Sequence, residues 1–108
     1  MNERELKEKF NEIVGASEIK WKVFLLFKRH ASLNYKIVAT YLNIQQKYAS
    51  ACLADLEAQG LLRVEKYGIY ALNGKNLPDA LANALSLKAS KLNSTAMDLK
   101  IAAEAVSS

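Results

Sequence analysis

The sequence predicts a mainly α-helical fold with one small β-hairpin and a long C-terminal helix. Apolar residues recur with a helical period over the first 59 residues. The pattern changes between residues 61 and 72, where β-branched and aromatic residues lie on both sides of Tyr67-Gly68. A seven-residue apolar repeat then occupies the last thirty residues, which indicates a long helix.

Two helices are predicted first. An apolar stripe begins at Leu6 and recurs four, seven and eight residues later, with Asn2 as a suitable N-cap and Gly15 as a suitable end. A second helix is predicted from its cap Ser17 through His30. Its apolar residues lie on more than one side, so we expect it to be buried in the core.

A helix-turn-helix arrangement is predicted next. A short extended segment leads to a third helix at residues 35–42, for which Asn34 is a good N-cap. Asn43 and Ile44 form the turn, and a fourth helix follows at residues 45–59. Its apolar residues recur at i, i+3, i+4 and i+7, and Gly60 ends it.

The predicted hairpin and the last helix complete the chain. Pro78 and Asp79 suit the first turn of a helix that continues to near the C-terminus. We therefore predict one domain at residues 1–76, which includes the N-terminal helix, and a C-terminal dimerisation helix at residues 77–108.

The charge balance permits binding to phosphate but does not require it. The formal net charge is +4, from 15 basic and 11 acidic residues. The basic excess is +2 in residues 1–30, +2 in residues 31–78 and zero in residues 79–108. Many proteins that bind no nucleic acid have a similar mild excess.

Other classes of function lack a signature. The single Cys52 cannot form an internal disulfide, and together with the single His30 it cannot supply a common metal site. We expect no enzyme activity, catalytic residue, metal or cofactor, since no phosphate-binding glycine loop or nucleophile–base set is found. The longest apolar run, at residues 23–27, is too short for a bilayer, and the N-terminus is charged. We therefore expect a cytoplasmic protein without membrane contact.

A motif at residues 42–62 indicates which kind of helical fold this is. Its parts are Leu42-Asn43-Ile44, the polar run Gln45-Gln46-Lys47, Leu56-Glu57 and Gly60-Leu61-Leu62. This pattern resembles the helix-turn-helix of winged-helix regulators such as the MarR and PadR families, and the resemblance extends from about Ser17 to Lys75. It implies a winged helix-turn-helix fold, in which the fourth helix reads DNA and the hairpin is the wing.

The fourth helix also suits DNA contact on physical grounds. A reading helix needs an apolar face toward its own domain and an opposite face that reaches the bases. Its one cation is Lys47, and Ala51 stands where these families often carry a basic residue. We therefore expect a close but modest contact that favours A·T-containing sites, with much of the affinity supplied by the wing and a second subunit.

The predicted DNA contacts come from the third helix, the fourth helix and the hairpin. They are Tyr35, Lys36, Gln45, Gln46, Lys47, Tyr48, Ser50, Ala51, Arg63, Lys66 and Tyr67. An alternative for the hairpin is a solvated strand face whose basic residues are partly neutralised by Glu65.

The last helix carries the predicted dimer contact. Alanine and leucine or valine alternate in a heptad pattern, and the residues assigned to dimerisation are Leu85, Ala89, Leu92, Ala96, Leu99, Ala103 and Val106. The N-terminal helix is an alternative partner within the chain. It has only about four turns, however, and cannot cover the whole stripe of heptad residues, which we call the seam. A second copy of the chain can cover it, which predicts a homodimer and a palindromic DNA site.

The expected function is sequence-specific binding of double-stranded DNA as a homodimer, as a transcriptional regulator. One alternative is a plasmid partition or replication protein that coats a centromere or origin. A second alternative is a winged-helix module that binds another protein instead of DNA.

Overall fold

The computed structural model describes residues 2–89 and has the predicted mainly helical fold. In chain order the elements are α1 (Glu3–Val14), α2 (Glu18–Leu26), β1 (Leu33–Asn34), α3 (Tyr35–Leu42), α4 (Gln46–Ala58), β2 (Leu62–Lys66) and β3 (Ile69–Leu72). Residues 77–89 form a further helix, α5. The side chains of Asn2, Ser17 and Asn34 cap the first three helices as predicted, each accepting the backbone N–H three residues further along.

Two helix boundaries differ from the prediction. Helix α2 ends at Leu26, before the predicted end at His30. The N–H groups of residues 27–29 instead donate to the carbonyls three residues earlier, which tightens the chain into a turn. Helix α4 begins one residue later and ends one residue earlier than predicted, because Gln45 and Gln59 are its caps.

The sheet has three strands in the order β1-β3-β2, so the hairpin is extended by one strand. The hairpin bend is Tyr67-Gly68, as predicted, since Lys66 pairs with Ile69. The extended segment before α3 supplies β1, in which Leu33 pairs with Tyr70. A bulge lies in β2 between Val64 and Lys66.

One hydrophobic core joins the helices to the sheet. Phe10 of α1 contacts Trp21 and Phe24 of α2, with ring centroids 5.2 and 5.3 Å apart. Helix α5 joins the same core through its first turns, with Leu77 and Leu81 buried. The division into two domains at residue 76 stays a prediction. Within residues 2–89, no helix combines the length and apolar character needed to cross a membrane.

Candidate nucleic-acid interface

The turn between α3 and α4 is held by its backbone. Asn43 ends α3 in the left-handed conformation, with φ at 53°. The N–H of Ile44 donates to the carbonyl of Ala39 at 3.0 Å, which closes the end of the helix. Gln45 then starts α4, and its carbonyl accepts the N–H of Ala49 at 3.0 Å. A short turn bonded to the end of α3 therefore joins the two helices.

Helix α4 has one buried face and one exposed face, as the sequence pattern requires. The buried residues are Ala49, Cys52, Leu53 and Leu56, each no more than 1% exposed. The exposed residues include six that are predicted to contact DNA, namely Gln45, Gln46, Lys47, Tyr48, Ser50 and Ala51. The structure therefore leaves the predicted reading face free.

The start of α4 has no side-chain cap, unlike the starts of α1, α2 and α3. Gln45 occupies the N-cap position, but its side chain makes no capping hydrogen bond. The first-turn N–H groups of a helix attract anions, and phosphate above all. A shallow depression of about 270 Å³ lies at this end, lined by Gln45, Lys47, Tyr48 and Ala51.

Helix α3 brings further side chains to the surface. Lys36 is exposed, whereas Tyr35 is half-buried and packs against the core. Ile37 and Tyr41 are 41% and 57% exposed and line an open depression of about 530 Å³ with Lys36 and Thr40. Sequence analysis did not single out Ile37 and Tyr41, although their spacing places both on one side of the helix, away from the buried Val38 and Ala39.

The hairpin presents an exposed tip. Tyr67 is fully exposed there, and Gly68 has φ at 77°, a conformation that glycine adopts without strain. Lys66 is exposed beside it. Arg63 lies further from the tip and forms an ion pair with Glu65, with Nη2 and Oε1 3.4 Å apart. Part of the positive charge of the hairpin is therefore neutralised within the hairpin itself.

The acidic charge of α4 is also partly neutralised. Asp55 forms an ion pair with Lys20 of α2 and thereby ties the two helices together. The hydrogen bond from Lys20 to Asp55 raises the pKa of the lysine above its usual value, so Lys20 stays charged at neutral pH. Lys47 is exposed on the same helix, and Asp55, the acidic residue of α4 nearer to it in sequence, is already paired with Lys20.

Cys52 lies on the buried face of α4 and is 1% exposed. Burial raises the pKa of its thiol, because the charged thiolate is poorly solvated there. The side chain therefore acts as a small apolar residue between α4 and the rest of the domain.

Helix α5 carries the first part of the predicted dimer contact. Its buried residues include Leu77, Ala80, Leu81 and Ala84, whereas Leu85 is 37% exposed and Ala89 is exposed. The other assigned residues, Leu92, Ala96, Leu99, Ala103 and Val106, lie outside the described residues.

Gly60 follows the end of α4 with φ at 84°, a conformation that glycine adopts without strain. Helix α5 packs beside it, since a Cβ atom at position 60 would be 3.5 Å from Cα of Ala84. The amide of Asn73 donates to the carbonyl of Gly60 at 3.1 Å, and the amide of Asn83 donates to the carbonyl of Asn73 at 2.6 Å. These contacts hold α5 against the segment that follows β3.

Solved structures share this fold at low sequence identity. No family model and no curated protein sequence matches the chain. A possible transcriptional regulator from Methanosarcina mazei Go1 aligns at a TM-score of 0.55 and 10% identity, over 86% of this chain and 87% of that one. The structure of RV1404 from Mycobacterium tuberculosis aligns at 0.53 and 11% identity, over 86% and 67% of the two chains. Ligand-free NadR aligns at 0.49 and 16% identity, over 97% and 92%.

The alignments with the first two proteins exceed four fifths of this chain, so the likeness extends over the fold as a whole. The chain thus has a fold that is also found in a possible transcriptional regulator. Its helices and three-stranded antiparallel sheet are compatible with a winged-helix regulator fold.

Proposed function

We propose that this chain is a winged helix-turn-helix protein of the MarR or PadR kind that binds double-stranded DNA as a homodimer and regulates transcription. The observation that carries the proposal is the exposed face of α4. The apolar residues of α4 are buried against the rest of the protein, while Gln46, Lys47 and Ser50 on the opposite side face solvent. Gln can bond adenine through two groups, and Lys can reach guanine or phosphate.

The uncapped start of α4 supports a phosphate contact at the same place. Backbone N–H groups at a helix start bind anions, and here no side chain of the cap residue occupies them. Lys47 and Tyr48 border this end of the helix. A phosphate bound there would set the depth at which α4 enters the major groove.

The wing supplies the second contact. Lys66 and Tyr67 at its tip are exposed and are free to meet the DNA backbone. Arg63 would have to leave Glu65 or share it to bind a phosphate. The contact from the wing should therefore come mainly from its tip.

The homodimer explains why α5 has two apolar faces. One face packs into the core through Leu77 and Leu81, and the other carries Leu85 and Ala89 at the surface. The exposed face is in register with the heptad that continues beyond residue 89. A second copy packed on this seam would place two α4 helices on two half-sites, about one turn of DNA apart.

A protein-binding role is the second candidate, and Ile37 with Tyr41 favours it. Both side chains are exposed on α3, beside a helix that carries a single cation. An exposed apolar patch is typical of a contact with another protein.

Selection of bound duplexes from a random pool tests the proposal. A palindromic consensus is the expected result, because a two-fold dimer presents the same reading face twice. Tandem repeats would instead indicate a partition or coating protein. No enrichment of any duplex would overturn DNA reading and leave the protein-binding candidate.

A further inference from the structure

An open cleft of about 370 Å³ lies between the end of α2, the hairpin and the segment that follows β3. Its charged or titratable lining residues are Lys28, Arg29, His30, Arg63, Glu65 and Lys75. No lining residue belongs to α3 or α4. The cleft is therefore separate from the reading face, and Arg63 is the one predicted DNA contact that borders it.

The cleft is lined by four of the 15 basic residues of the protein and by a single carboxylate. Four permanent cations face one carboxylate there, a formal excess of +3, whereas the whole chain has a formal charge of +4. Among residues 2–89, Glu65 pairs with Arg63, and no carboxylate lies within ion-pair distance of Lys28, Arg29 or Lys75. A bound anion would relieve the repulsion between these side chains.

The end of helix α2 explains only some of the cations in the cleft. Cations just after a helix commonly interact with its last carbonyls, and this accounts for Lys28 and Arg29 at the end of α2. It does not account for Arg63 and Lys75, which reach the same cleft from two other parts of the chain.

The backbone at Lys75 is held in place by α5. Its N–H donates to Oδ2 of Asp79 at 2.8 Å. A Cβ atom at Gly74 would lie only 2.8 Å from the backbone nitrogen of Ala80, so glycine permits this close approach. Lys75 therefore borders the cleft from a fixed backbone position.

We propose that this cleft binds a small phosphorylated molecule of about the size of a mononucleotide. Its volume falls within the range of small-ligand sites, about 300–1,000 Å³. Arg and Lys side chains are the groups that proteins use to bind phosphate, Arg through paired hydrogen bonds and Lys as a point charge. A concave site that excludes α3 and α4 suits a small molecule better than a duplex.

Occupation of the cleft has a consequence that rests on the proposed function. Arg63 belongs to the wing and also lines the cleft, so a phosphate bound in the cleft would compete with DNA for its guanidinium group. The ligand is then expected to weaken DNA binding by the loss of this one contact.

Calorimetric titration of the full chain with adenosine monophosphate tests the site without any DNA. We expect one molecule bound per chain, no binding of adenosine, and weaker binding of inorganic phosphate alone. Replacing two cations, in the variant Arg29→Gln with Lys75→Gln, should weaken binding of the nucleotide at least about tenfold, because each loses a charge-assisted hydrogen bond. Lys9→Gln with Lys22→Gln changes the net charge equally at exposed positions outside the cleft and should stay within about twofold.

Three results would overturn the proposal. They are no binding of the nucleotide, equal weakening by both variant pairs, and inorganic phosphate binding as tightly as the nucleotide. NMR chemical shifts of the backbone amides give an independent test in the wild-type chain. Titration with the nucleotide should move the signals of His30 and Gly74. Neither Arg29 nor Lys75 is a proposed DNA contact, so without nucleotide their variant should bind duplex DNA within about threefold of the wild type.

Discussion

Replacement of Lys47 by glutamine should lower the salt dependence of DNA binding without abolishing it. Lys47 is the one cation of α4 and lies at its uncapped end. Each phosphate that a protein neutralises adds about 0.9 to the slope of log affinity against log salt concentration. The variant loses one such contact in each protomer, so for a dimer the slope should become shallower by about 1.8.

The size of the wild-type effect follows from the exposed cations of the proposed interface, which are Lys36, Lys47, Arg63 and Lys66. Arg63 is already paired with Glu65, so a dimer should make between about six and eight phosphate contacts, with a slope of about −5 to −7. Affinity should then fall roughly 10³- to 10⁴-fold between 50 and 200 mM salt.

Fluorescence anisotropy with a labelled duplex recovered by selection measures both slopes. The matched control is Lys9→Gln, which removes the same charge from an exposed position on α1. An unchanged slope for Lys47→Gln would show that α4 does not meet the DNA. An equal fall for both variants would show that net charge alone drives binding.

Four further results are expected. Glu65→Gln should strengthen DNA binding by about threefold per protomer, since it removes the carboxylate that holds Arg63; anisotropy measures this. Leu85→Asp should place a charge on the exposed seam of α5 and give a monomer in sedimentation, with DNA binding greatly weakened. Cys52 should react with a thiol reagent far more slowly in the folded protein than in urea. In the unfolded chain the thiol of Cys52 ionises near pH 9. Burial raises the pKa of this thiol in the folded state, so the folded protein keeps it protonated at that pH. The stabilising contribution of this group is therefore present below that pH and is lost as the pH rises above it, and Cys52→Ala should remove this part of the pH dependence.

The first three of these predictions each have a result that contradicts them. Weaker or unchanged binding by Glu65→Gln would mean that Arg63 stays on a solvated strand face and meets no phosphate. A wild-type chain that is already monomeric would refute the prediction that the heptad residues form a dimer contact. Rapid labelling of Cys52 in the folded protein would show that the docking face of α4 is open to solvent.

Helix starts were predictable because their signals are local. Asn2, Ser17 and Asn34 each cap a helix through an N–H three residues away, so a few neighbouring residues contain the whole interaction. The exposed face of α4 followed in the same way, since its apolar spacing shows which side is buried.

The features that the sequence did not reveal depend on residues distant in the chain. Strand β1 has only two residues, and its pairing with β3 has no local signature. The early end of α2 depends on a tight turn that helical periodicity does not detect. The basic cleft brings together Arg29, Arg63 and Lys75, which no motif connects.

Hydroxyl-radical footprinting on a selected duplex tests most directly whether two α4 helices of one dimer read DNA. Two protected segments should appear on one face of the duplex, with centres about 34–36 Å apart, because each reading helix enters the major groove of one half-site. A single protected segment, continuous protection along the duplex, or no protection would contradict the account.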